Sequence, residues 1–163
     1  MVRDAQRSRV YAAEEFVRTL FDRAAARGTA TLDFFGTSIT LPPEARFASV
    51  ESVRRYVDDV LALPAVRRSW PEAGPLAVRS RRGRTAAHYE RAGGDATIAV
   101  PDRSTTWALR ELVVLHEVAH HLSQTEPAHG PEFTSTFCEL ADAVMGPEVA
   151  YVLRVVYAKE GVR

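Results

Sequence analysis

The chain is predicted to adopt an α+β fold, and two observations carry that prediction. Apolar residues recur at helical spacing in segments near both ends of the chain, and three short β-like segments punctuated by glycine follow one another in the middle. A small, mainly antiparallel sheet packed on helices is the expected arrangement, in one domain over residues 1–163.

The elements follow in order. Residues 9–28, RVYAAEEFVRTLFDRAAARG, place Val10, Phe16, Val17, Leu20 and Phe21 on one helical face and stop at Gly28. TATLDFFGTSITLP is rich in Thr, Phe and Ile and predicts a strand or hairpin ending at Pro42-Pro43. Ser49 caps a second helix whose buried stripe is Val53, Val57, Val60 and Leu61. The stretch from Pro64 to Pro75, with its prolines and Trp70, reads as a loop. Three strands come next: LAVRSR turns at Arg82-Gly83 into TAAHYER, which turns at Gly93-Gly94 into ATIAVP. Ser104 or Thr105 can then cap a long helix over about 105–124. Pro131 opens another helix to Met145, Gly146-Pro147 breaks it, and EVAYVLRVVYAKEG is the last.

Composition narrows the function classes. The chain is 46% apolar and 26% charged, the balance of a water-soluble globular protein. No stretch approaches the roughly eighteen apolar residues of a membrane span, and the N-terminal residues lack the apolar core of a signal peptide. With Cys138 as the only cysteine, an intramolecular disulfide is excluded, so a cytoplasmic protein is expected. Formal net charge is zero, which gives no general signal for nucleic acid. The charge is uneven: residues 1–91 hold 16 Arg against 11 Asp and Glu, and residues 92–163 hold 5 Arg and Lys against 10 Asp and Glu.

Four of the five histidines fall within Leu115–Phe133, LHEVAHHLSQTEPAHGPEF. His116 and His120 stand four apart on a predicted helix, one turn apart on one face, so both imidazoles can reach one small cation. Zinc accepts such nitrogens at about 2.0–2.1 Å. Glu117 is one residue past the first histidine, which sets its carboxylate beside a metal rather than on it, where it can act as a general base. His121 lies about 140° round the helix from His116 and is expected to be a partly exposed polar residue outside the site. A catalytic zinc usually takes three protein ligands. His129 and Glu139 both have workable spacing, and spacing does not choose between them. Leu109, Leu112, Val113 and His116 share a face, so the histidines sit on the buried side, where unpaired polar groups would be costly and a metal removes the cost.

The segment His129-Gly130-Pro131-Glu132-Phe133 resembles the one that carries the third ligand in SprT-like zinc metalloproteases, where it opens the helix after the His-Glu-x-x-His helix. That resemblance, close over residues 112–133, implies a zincin-like minimal metalloprotease domain with His116, His120 and His129 as ligands of one Zn²⁺, and Glu117 as catalytic base. It leaves Glu139 as the alternative ligand or as a partner of a ligand imidazole. Size and layout are also similar to a small group of uncharacterised actinobacterial metallohydrolases. The implied reaction is hydrolysis of a peptide or protein substrate, with Glu117 taking a proton from water and passing it to the leaving amine. In zincins the strand before the active helix, here 95–100, is an exposed edge to which extended peptide adds. Tyr89, Tyr151, Tyr157, His88 and Arg154 are candidates for holding the oxyanion.

A second reading belongs to another class. Arg79–Arg84, RSRRGR, is the one basic cluster and could meet a phosphate backbone, with Trp70 stacking on a base. The motif would then hold zinc in a non-catalytic binding module. Four arginines without a basic surround give little nucleic-acid binding, so solvated charges are the better reading of this hairpin.

Overall fold

The strongest strand former in the chain, with Ile98, Ala99 and Val100 all fully buried, takes the centre of a three-stranded sheet. The computed structural model describes residues 2–83, 86–102 and 109–163. Among these are six helices and five strands: α1 Arg7–Arg27, β1 Thr31–Phe34, β2 Thr37–Thr40, α2 Val50–Ala62, α3 Pro64–Ser69, β3 Ala77–Arg81, β4 His88–Ala92, β5 Asp95–Pro101, α4 Glu111–Ser123, α5 Pro131–Met145 and α6 Pro147–Lys159. The fold is α+β, with one antiparallel and one mixed sheet. No described helix is long and apolar enough to cross a membrane. The chain divides into two compact units, residues 1–44 with 124–163, and residues 45–123.

In the first unit α6 packs against α1 and α5. Val10, Val17, Leu20 and Phe21 bury the inner face of α1, but Phe16 is 37% exposed, so the predicted stripe is narrower than drawn. It instead stacks on Phe35 of the β1–β2 hairpin. That hairpin is held through Phe34 against Tyr151 and through the Thr40 main-chain N–H, which donates to the Glu148 carboxylate.

In the second unit α2 is capped as predicted, with the Ser49 hydroxyl accepting from the Ser52 N–H at 3.1 Å. Val53, Val57 and Val60 are buried, while Leu61 is only half-buried. The predicted loop after Pro64 begins instead with the short helix α3, because proline at a first helical position costs no hydrogen bond.

The three-stranded sheet departs from the predicted meander. Its order is β3-β5-β4, with β3 parallel to β5 and β4 antiparallel to it. Only the β4–β5 hairpin forms as expected, through Gly93 and Gly94, both at positive φ. β3 and β4 do not pair with each other, so strand 95–100 is central rather than the exposed edge. The cause is burial: the apolar β5 takes the position covered on both sides, and β3 and β4, which carry Arg79, Arg81, His88 and Glu90, take the edges where charge is tolerated.

Candidate metal centre

Helix α4 is anchored before it begins. Main chain at 45–47 runs antiparallel to 109–111: Phe47 N–H donates to Leu109 O at 2.9 Å and Glu111 N–H to Ala45 O at 3.0 Å. The Glu111 carboxylate, itself buried, accepts from the Ala45 N–H at 3.0 Å and from the Tyr56 hydroxyl. The predicted caps Ser104 and Thr105 lie outside the described residues, and the helix expected over about 105–124 starts only at Glu111, because Arg110 is held in extended pairing with Arg46.

Once started, α4 has no solvent face. Eleven of its 13 residues are buried, so its polar side chains are held by protein groups rather than by water. His116 is 5% and Glu117 6% exposed, and His120 is half-buried. The Nε2 atoms of His116 and His120 converge to 3.1 Å. Two nitrogens bound to one tetrahedral zinc stand roughly 3.3 Å apart, from bond lengths near 2.05 Å, so this spacing suits a shared cation with little adjustment.

Glu117 is held by a group that the sequence did not signal. β4 is an edge strand, and the main-chain N–H of Tyr89 donates to Glu117 Oε2 at 2.7 Å. The Tyr89 ring stacks over His120 with centroids 6.4 Å apart and planes at 16°. Its hydroxyl lies 3.3 Å from His121 Nδ1.

His121 corrects an expectation: it is 2% exposed. Its Nε2 meets Gly74 O at 2.8 Å, so the ring donates there and accepts from Tyr89 at Nδ1. Burial pushes its pKa below the ordinary histidine value, with Arg91 adding to the effect and the Gly74 bond opposing it. Wide separation on the helix keeps His121 out of a site with His116, but α4 is enclosed on that side too. The Tyr89 hydroxyl is thereby committed to structure.

His129 opens the second half of the motif. It is 5% exposed, and its ring lies between Tyr11 and Phe133, with both centroid separations 5.1 Å. Its Nδ1 stands 2.7 Å from Asp4 Oδ2. Gly130 sits where a side chain would be crowded. Its φ is an ordinary −77°, but a Cβ there would come within 3.0 Å of Pro127 O and Cγ. Pro131 then begins α5, and Phe133, fully buried, fixes it. His116 and His120 each offer one ring nitrogen from α4, and His129 offers one from the segment that opens α5. Glu139 is exposed on α5.

The remaining candidates have other occupations. His88 is bonded through Nδ1 to Arg81 and through Nε2 to Glu90. Tyr157 is buried, which raises its pKa well above the ordinary phenol value, while Tyr151 and Arg154 are exposed on α6. Cys138 is buried, and its thiol is pushed up to about 11 by loss of solvent. Within Arg79–Arg84, Arg79 pairs with Glu90 at 2.7 Å and holds that carboxyl below its usual value, with His88 assisting. Arg81 donates to Ala86 O at 3.3 Å, and Arg84 lies outside the described residues. Trp70 lines a cleft of about 510 Å³ with Asp58, Val66, Arg67 and Leu76, and no arginine of the cluster lines it.

Comparison with family models, with curated proteins and with solved structures finds no match for this chain.

Proposed function

We propose that the chain is a zinc-dependent metallohydrolase of zincin type, acting on peptide bonds, with His116, His120 and His129 as ligands and Glu117 as general base. The carrying observation is the convergence of the His116 and His120 Nε2 atoms at 3.1 Å on a helix with no solvent face. The donor set fits the ion, since three neutral imidazoles and one open position are the ligand chemistry of catalytic zinc.

A bound zinc would lower the pKa of a water molecule toward 7 and polarise a carbonyl. The protein does the rest. Glu117 follows the first ligand by one residue and is buried, so its carboxylate is set to take a proton from the attacking water and deliver it to the leaving amine. The Tyr89 N–H holds Glu117 through Oε2, which fixes the direction of the carboxylate. An extended peptide would add to β4, the edge strand that touches Glu117, rather than to β5.

The test is zinc per chain by elemental analysis together with cleavage of an unstructured protein such as casein, read by mass spectrometry. One zinc in the wild type, lost in His129→Ala and kept in Glu139→Ala, with cleavage abolished by Glu117→Gln, is the expected result. Zinc lost in Glu139→Ala instead would reassign the third ligand. Cleavage or in-cell phenotype unchanged by Glu117→Gln would sink the enzyme reading and leave a non-catalytic zinc-binding module.

A further inference from the structure

We propose that Asp4 is a positioning residue for the third ligand, orienting the His129 ring from the N-terminal segment while Gln6 fixes the His129 backbone. The inference rests on the metal reading above and deepens it.

The Asp4 carboxylate accepts from His129 Nδ1 at 2.7 Å. With the proton fixed on Nδ1, the neutral imidazole has its lone pair on Nε2, so Nε2 is the atom offered to a cation. A carboxylate on the far nitrogen raises the basicity of the coordinating one and holds the ring in plane with its task. Packing reinforces the choice, because the ring is flanked by Tyr11 and Phe133 and has little room to turn over. Gln6 acts on the same residue from the backbone side. Its Nε2 donates to His129 O at 2.7 Å and to Arg163 O at 2.8 Å, and its Oε1 accepts from the Arg163 N–H at 3.1 Å.

One detail separates a tuned ligand from an ordinary ion pair. The second carboxylate oxygen of Asp4, Oδ1, is buried and has no hydrogen-bond partner among the described residues. A half-satisfied carboxylate is an unfavourable way to fasten a chain segment. It becomes favourable when positive charge reaches it through the imidazole, as a divalent cation on Nε2 would provide.

The experiment uses the full chain as wild type, Asp4→Asn, Asp4→Ala, Asp4→Glu and Gln6→Ala. Three quantities are read: the zinc Kd by chelator competition, the visible spectrum of the Co²⁺-substituted protein, and the Tm of the metal-free protein. Asp4→Asn and Asp4→Ala are expected to weaken zinc about 10–100-fold and to alter the Co²⁺ bands. Asp4→Glu should recover part of the affinity, and Gln6→Ala should fall between wild type and Asp4→Ala. Zinc affinity and Co²⁺ spectrum unchanged in Asp4→Asn and Asp4→Ala, with only the metal-free Tm lowered, would show that Asp4 merely tethers the segment and would overturn the proposal. A wild type that takes up neither Zn²⁺ nor Co²⁺ would overturn the metal reading and this inference together.

Discussion

Helix α4 and the arginine segment from β3 to β4 each carry several ionisable groups, and the structure treats them in opposite ways. On α4 the polar side chains are enclosed: His116, Glu117 and His121 are all less than a tenth exposed. On β3 and β4 the charges lie at sheet edges, where exposed Arg79 pairs with Glu90 and half-buried Arg81 with His88. Enclosure makes an ionisable group expensive, so its presence needs a reason, whereas a solvated arginine needs none. A site is therefore better sought among the few polar residues that are hard to accommodate than among the many that are easy.

Substitutions can break or sharpen that contrast. The largest effect is expected for Glu117→Gln, which should lower the rate of peptide hydrolysis by about a hundredfold to ten-thousandfold with zinc content unchanged. The contrast extends to the buried thiol of α5. With its pKa pushed up to about 11 from an ordinary value of 9.0, Cys138 at pH 8 should be alkylated roughly a hundredfold more slowly in the native protein than in the unfolded chain, the rate rising as pH approaches 11. The sign for stability follows: because the folded pKa is the higher one, this thiol makes no demand below pH 9 and costs stability as pH climbs from 9 toward 11. Iodoacetamide labelling followed by mass spectrometry reads the rate, and equal rates in both states would contradict the burial. His121→Ala removes the partner of Gly74 O and of the Tyr89 hydroxyl, and should lower stability by about 1–3 kcal/mol in urea titration while zinc is retained. At the small end, Arg82→Ala on the exposed turn should leave both Tm and single-stranded DNA binding, measured by fluorescence anisotropy, unchanged. A marked loss of DNA affinity in that variant would revive the binding-module reading.

What could be read from the sequence was what is local. The spacing of His116 and His120, the cap at Ser49 and the helix opening at Pro131 depend on neighbours a few residues away, and all three stand where predicted. The strand order was not legible, because β3 and β5 pair across the whole β4 hairpin and only burial decides which strand is central. His121 was misplaced because helical periodicity presumes a wet face, and α4 lacks one. Asp4 left no signal at all: it meets a histidine 125 positions away, and a lone aspartate near a chain start carries no pattern.

A helix without a wet side also has little freedom to drift. On α1 many outward positions lie largely in water and can accept most polar residues. On α4 nearly every position faces another part of the protein, and each substitution must be answered by a second one in whatever it touches. A library randomised one codon at a time from Glu111 to Ser123 should therefore return few functional clones outside small apolar exchanges, and pairs of changes that rescue one another should point to the partners of α4 residue by residue.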